Sequence, residues 1–203
     1  KIYKYTFTAI MAVIIFGCSE DFIDINPIAA ENSGSFYLTQ LDAEQAVTTI
    51  YGMYNTTAFD KNMIMALDVC SDDAEAGGEY VNEVPSFENF NRLQPLTTSK
   101  EIDKVYGVLF RSIYFANIAI EKLPDIKELD AEADPAVINR LIAESKFMRA
   151  MSYSYLVRYF GAVPLIDHVL GADEYYGAKA KLKALYDFME TDLKDAIEVL
   201  PER

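Results

Sequence analysis

Apolar residues recur at spacings of three and four through five stretches of this chain and almost nowhere at two, so the pattern predicts helices and essentially no strands. Ala43, Ala46, Val47, Ile50, Tyr51 and Tyr54 line one face after Thr39-x-x-Asp42, a capping-box-like start. Met63 to Cys70 is a shorter apolar stretch, stopped by charges and the Gly77-Gly78 pair. A long helix is expected from Thr98-x-x-Glu101, with Ile102, Val105, Tyr106, Leu109, Phe110, Ile113, Asn117, Ile120 and Leu123 as its stripe and Pro124 as its end. Asp134-Pro135 reads as an N-cap followed by proline at the first helical position. The helix it opens carries Ile138, Leu141, Met148, Tyr155 and Leu156 and closes at Gly161 before Pro164. Leu182, Leu185, Tyr186, Met189, Leu193, Ala196, Ile197 and Leu200 form the fifth pattern, stopped at Pro201.

Between these patterns, residues 77–97 read as a loop. Ala119-Ile120-Glu121-Lys122-Leu123-Pro124 returns 77 residues later as Ala196-Ile197-Glu198-Val199-Leu200-Pro201. The offset is near two periods of about 34 residues plus a loop, the length of tetratricopeptide helix pairs. The expected fold is therefore all-α, built of stacked, tetratricopeptide-like helical hairpins with loops. In that reading both Ile120 and Ile197 face inward.

Composition narrows the chemistry. The 203 residues carry a net charge of −14, which lacks the basic footprint of a nucleic-acid binder. Two cysteines and one histidine cannot complete a structural zinc site, and any histidine-based triad would have to use His168. There is no G-x-S-x-G, P-loop or G-x-G-x-x-G segment.

The start of the chain is different in kind. Lys1 and Lys4 precede an uncharged run whose apolar heart, Ala9 to Phe16, is too short for a bilayer core that needs about 20 residues. Residues 1–17 read as a lipoprotein signal peptide, and Ile15-Phe16-Gly17-Cys18 resembles a bacterial lipobox, making Cys18 the lipidation site. Its removal would take the charge to −16 and leave Cys70 as the only thiol. Ser19-Glu20-Asp21 resembles a surface-export signal or serves as a solvated tether, and residues 18–38 read as a tether or surface segment.

Residues 143–166 are specific. Ala143, Glu144, Phe147, Arg149, Ala150, Tyr153, Leu156, Val157, Arg158, Phe160, Gly161, Val163, Pro164 and Leu165 resemble the signature of the SusD/RagB family. Asp21-Phe22-Ile23-Asp24, Phe36-Tyr37, Asp72-Asp73 and Asp192-Leu193-x-x-Ala196-Ile197-x-x-Leu200-Pro201 agree with it in order. The resemblance implies that 39–203 is a helical-repeat domain, incomplete at its C-terminus because family members are much longer. It implies a lipid-anchored outer-membrane protein facing the cell exterior. Such a protein captures glycans, or in some members peptides, for a SusC-like TonB-dependent transporter, with no enzymatic activity and no cofactor. The alternatives are a helical-repeat scaffold binding a protein or peptide partner, and a secreted acidic hydrolase.

Individual residues carry two readings each. Glu144, Arg149 and Arg158 could recognise an anionic ligand; an internal salt bridge and favourable helix-end charge is the preferred reading. Asp68, Asp72, Asp73 and Glu75 lack the spacing of a calcium loop and read as caps and turn charges, so no metal site is assigned. His168 beside Asp167 reads as a surface or packing residue. Fourteen tyrosines and twelve phenylalanines stand beside no tryptophan, and most lie on helical stripes. Tyr80, Phe87, Phe90, Tyr175 and Tyr176 instead fall in predicted loops, where an aromatic presents a flat face to a sugar ring or packs as a cover over the helices. Tyr80, Phe87 and Phe90 are the candidate ligand-binding residues, with Tyr80 first because Gly77-Gly78 beside it frees the backbone.

Overall fold

In the computed structural model, which describes residues 36–80, 83–94 and 96–202, six helices follow one another among the described residues. They are α1 (Gln40–Tyr54), α2 (Asp60–Val69), α3 (Pro85–Asn91), α4 (Lys100–Leu129), α5 (Pro135–Phe160) and α6 (Leu182–Ile197). The expected signal peptide, Cys18 and most of the expected tether lie outside the described residues.

Local sequence chemistry sets the helix ends. Thr39 Oγ1 accepts from the Asp42 N–H at 3.2 Å, and Asp42 Oδ2 accepts from the Thr39 N–H at 2.9 Å, closing the expected capping box. Asp134 caps α5 through the Ala136 N–H at 2.8 Å, with Pro135 at the first turn. Gly161 ends α5 with φ of 68°, a left-handed backbone that a side chain would strain.

Two boundaries differ from expectation. The cap of α4 is Ser99, not Thr98, and the helix runs through Pro124 to Leu129. Pro124 removes one N–H, but Leu123 and Ile126 on either side are fully buried and their packing carries the chain onward. The second difference is α3, which occupies the middle of the segment read as loop. Pro85 stands at its start, and Phe87 and Phe90, three apart, share its buried face.

The longest helices, α4 and α5, pack against each other; α1 covers both on one side, and α6 packs on α5. Ala43, Val47 and Ile50 of α1 meet Ala116, Ala119, Leu123 and Ile126 of α4 and Ile138, Leu141 and Met148 of α5 in one apolar cluster. A second cluster joins Val105, Leu109 and Ile113 to Tyr153, Leu156, Val163, Leu185 and Met189. Phe59, after α1, edges onto Tyr54 at 4.8 Å and Tyr155 at 5.4 Å, which fixes the α1–α2 turn on α5.

The repeated hexapeptide is equivalent only in part. Ala119 and Ala196 are both buried, and Leu123 is fully buried. Ile197, however, is 75% exposed, so the expectation that it packs inward is corrected. The buried face of α6 is Leu185, Met189, Asp192 and Ala196, and Ile197 lies one step round from it.

Candidate functional site

The α5–α6 interface carries a buried polar centre. Arg149 Nε donates to Asp192 Oδ2 at 2.8 Å and its Nη2 donates to Asp192 Oδ1 at 2.7 Å, a two-pronged pair. Nη1 donates to Asn117 Oδ1 at 2.7 Å and to the Asp167 carbonyl at 3.1 Å. The guanidinium also lies 4.7 Å from the Phe188 ring centre. Asn117 Nδ2 donates to the carbonyls of Ile166 and His168 at 3.2 and 2.9 Å. The Tyr153 hydroxyl accepts from the Ile166 N–H at 2.7 Å. Burial pushes the Tyr153 phenol up to about 12, against smaller opposing effects of the Ile166 backbone bond and the nearby Arg149 charge. Two helices, α4 through Asn117 and α5 through Arg149 and Tyr153, thus hold the backbone of residues 166–168, and Asp192 of α6 orients Arg149.

The preferred sequence reading of Arg149 as an internal ion pair is what the geometry contains, with Asp192 as its partner. Glu144 is engaged elsewhere, with Arg140 at 2.6 Å and the Tyr51 hydroxyl at 3.3 Å. Asp192 had a signal in the sequence: it is the one acid on a face otherwise made of Leu185, Met189 and Ala196.

From that anchored base the 161–181 connection folds back on itself. The Ala180 N–H donates to the Val163 carbonyl at 2.9 Å, and Pro164 bridges to Lys179 in antiparallel register. Between this connection and α4 lies a groove of about 480 Å³. Tyr106, Phe110, Arg111 and Tyr114 form one wall, and Leu165, His168, Leu170, Glu174 and Tyr175 the other.

His168 stands between two carboxylates of the connection: Nδ1 lies 2.7 Å from Asp167 Oδ1 and Nε2 lies 3.2 Å from Glu174 Oε2. Donation to both carboxylates requires the imidazolium. The Asp167 carboxylate, then Glu174, raises the His168 pKa above its ordinary value. The Gly171 N–H, at 2.8 Å, and then His168 lower that of Glu174. The His168 bond likewise lowers that of Asp167.

The three loop-aromatic candidates separate. Tyr80 is 65% exposed, on a turn where Glu83 donates its N–H to the Tyr80 carbonyl at 3.2 Å and accepts from the Glu79 N–H at 2.7 Å. A Cβ on Gly78 would collide with that Glu83 carboxylate. Phe87 and Phe90 are buried against Val69, with Ala76 and Ile102 alongside. Their placement as loop aromatics is corrected: three-residue spacing on a proline-started helix turns both inward. Phe90 also reaches a second groove, of about 490 Å³, with Leu96, Ile102, Tyr106, Tyr159 and Phe160. Tyr175 and Tyr176 are exposed, as loop positions imply, and Tyr175 lines the first groove.

Among the described residues no three His, Cys, Asp or Glu side chains gather as a metal site. In the acidic segment, Ser71 Oγ donates to the Asp68 carbonyl at 2.6 Å and accepts from the Asp73 N–H at 3.1 Å, which is a turn. No described helix is long and apolar enough to cross a membrane.

Comparison with known proteins gives these features a family. The SusD-like family described as starch-binding and associating with the outer membrane matches residues 21–203. SusD-like protein P2 of Formosa agariphila is 26% identical over 205 residues, covering 100% of this chain and 39% of that protein. A laminarin-binding SusD-like protein of known structure superposes with a TM-score of 0.72 at 28% identity, over 80% of this chain and 34% of that one. A SusD homologue from Bacteroides thetaiotaomicron shares the fold, with a TM-score of 0.73 at 20% identity, over 84% of this chain and 32% of that one. The chain therefore spans between about a third and two fifths of these relatives' length. With one family model matching from Asp21 to Arg203, and with Arg149 and Asp192 of the family's signature segments meeting in the core, the chain belongs to the SusD-like family.

Proposed function

We propose that this chain is the helical scaffold of a cell-surface lipoprotein that captures oligosaccharides and delivers them to a SusC-like TonB-dependent transporter. Cys18 carries the lipid that holds it on the outer membrane, facing the exterior, and the protein binds its ligand without cleaving it. The observation that carries the reading is the likeness to the laminarin-binding SusD-like protein over most of this chain. The rigid core supports it, because a binding surface on loops is only as well placed as the helices beneath. Tyr80 is the loop residue assigned to ligand contact: its exposed ring can lie against the C–H face of a sugar, while Phe87 and Phe90 pack α3 against Val69.

In this reading the polar groups serve structure and are assigned no catalytic role. The Arg149–Asp192 pair is buried in packing, and His168 is engaged by two carboxylates. The test is a glycan array with the full-length lipoprotein, followed by titration of laminari-oligosaccharides and product analysis. Binding without product release is the expected result. Failure to retain any glycan overturns the reading, and product release replaces it with the hydrolase.

A further inference from the structure

The groove between α4 and the 161–181 connection is open, walled and carries a cation. On α4, Tyr106, Phe110, Arg111 and Tyr114 fall at spacings of four, one and three, so they share one face. Among the described residues Tyr106 is 36% exposed and Tyr114 is 47% exposed. The facing wall is fixed at its base, where Asn117 and Arg149 hold the carbonyls of residues 166–168. At its outer part Tyr175 stands opposite α4. A volume of about 480 Å³ falls within the ~300–1,000 Å³ usual for small-ligand clefts.

We propose that this groove is a subsite for an acidic sugar residue, a uronate or a sulfated sugar, whose anionic group pairs with Arg111 while its ring lies against the tyrosines. The inference rests on the glycan-capture reading and adds a second contact region to it, since Tyr80 does not line this groove. Charge accounting supports the ligand class. Glu174, the acid that lines the groove, is engaged by His168 and the Gly171 N–H; Asp167 beside it also holds His168, and Glu121 of α4 accepts from the Val169 N–H at 2.8 Å. Arg111 forms no ion pair among the described residues. In a chain of net charge −14, this arginine stands at a concave aromatic surface with no carboxylate partner among the described residues. A guanidinium there offers a planar fork that fits a carboxylate or sulfate in two-pronged fashion. The phenol rings offer apolar faces to the sugar's C–H groups, with hydroxyls at their tips for its polar edge.

The test uses the full-length lipoprotein and three probes in calorimetric titration. A galacturonate tetrasaccharide is compared with its methyl ester, a sulfated galactan oligosaccharide with its desulfated form, and a neutral laminari-oligosaccharide serves as reference. The expected result is tighter binding of a charged probe than of its neutral counterpart. Arg111→Gln should cut that preference roughly fivefold, the size of a partly exposed ion pair, and Arg111→Lys should restore part of it. Tyr114→Ala should weaken the charged and neutral forms alike. Which pair responds distinguishes carboxylate from sulfate. Equal binding of charged and neutral forms, or a preference that survives Arg111→Gln, overturns the subsite. Laminari-oligosaccharide binding with no acid preference overturns this inference alone; loss of all binding, laminari-oligosaccharide included, overturns glycan capture as well.

Discussion

Arg149 and Asp192 meet in parallel across the α5–α6 interface, two hydrogen bonds of 2.8 and 2.7 Å between side chains that are 6% and 4% exposed. Such a pair is stable only as a pair, because either ion alone would be stranded out of water. Arg149→Ala should therefore cost about 3–5 kcal/mol in chemical denaturation. Arg149→Met combined with Asp192→Leu should recover most of that loss, because the buried charge goes with its partner. Should the double variant be no more stable than Arg149→Ala, the loss lies in the Asn117 and Asp167 contacts instead.

Tyr153 ties the same centre to the connection through the Ile166 N–H. Tyr153→Phe leaves that half-buried donor without its acceptor and should cost about 1 kcal/mol. The phenol's pKa is raised to about 12 in the fold, against 10.0 for its ordinary value. Its contribution is whole below pH about 10, where both states are protonated, and is lost as pH rises through about 12, because the unfolded chain releases the proton first. Denaturation midpoints measured between pH 9 and 12 should fall more gently in Tyr153→Phe than in the parent.

His168 is the chain's only histidine, so its ring resonances can be followed without ambiguity. Asp167 and Glu174 raise its pKa, and the NMR midpoint should lie above the free value of about 6.5. Glu174→Gln and Asp167→Asn should each lower it. The two-carboxylate bridge stabilises the folded connection fully below that free value and is lost as pH rises through the folded one. A midpoint at the free value in the parent would remove the bridge.

The hydrophobic period and the caps were legible because each is written within a few residues. Thr39-x-x-Asp42, Asp134-Pro135 and Gly161 all stand where local chemistry puts them. Pro124 misled because burial of Leu123 and Ile126, a tertiary matter, outweighs a missing N–H. Ile197 misled because periodicity admits either of two adjacent faces on α6, and only the partner helix chooses between them. The site was harder to read still. Tyr106 and Phe110 lie on the stripe of α4 that reads as core, Arg111 and Tyr114 stand beside it, and nothing local says that the facing connection leaves a groove there.

In the proposed function, membrane attachment depends on Cys18. Cys18→Ala in cells should move the protein out of the membrane fraction and abolish lipid labelling, since a single acyl chain binds only marginally and stable anchoring takes about two signals. Retention of both would mean that residues 1–17 are not a lipoprotein signal.

Tyr80 and Phe87 lie seven residues apart in one segment yet should fail in opposite ways. Phe87 is 5% exposed and packs on Val69, so Phe87→Ala should cost about 3–5 kcal/mol of stability. Any loss of glycan affinity should then follow the unfolding of α3 and reverse under conditions that restore the fold. Tyr80 is 65% exposed, and Tyr80→Ala should leave the denaturation midpoint unchanged. Its effect should appear only in binding, as a loss of roughly tenfold for laminari-oligosaccharide, the scale of one aromatic contact. Titration and chemical denaturation of the same two variants separate the roles. If Tyr80→Ala binds as tightly as the parent, the Tyr80 turn is not part of the contact surface, and the supporting packing of Phe87 loses its functional meaning while keeping its structural one.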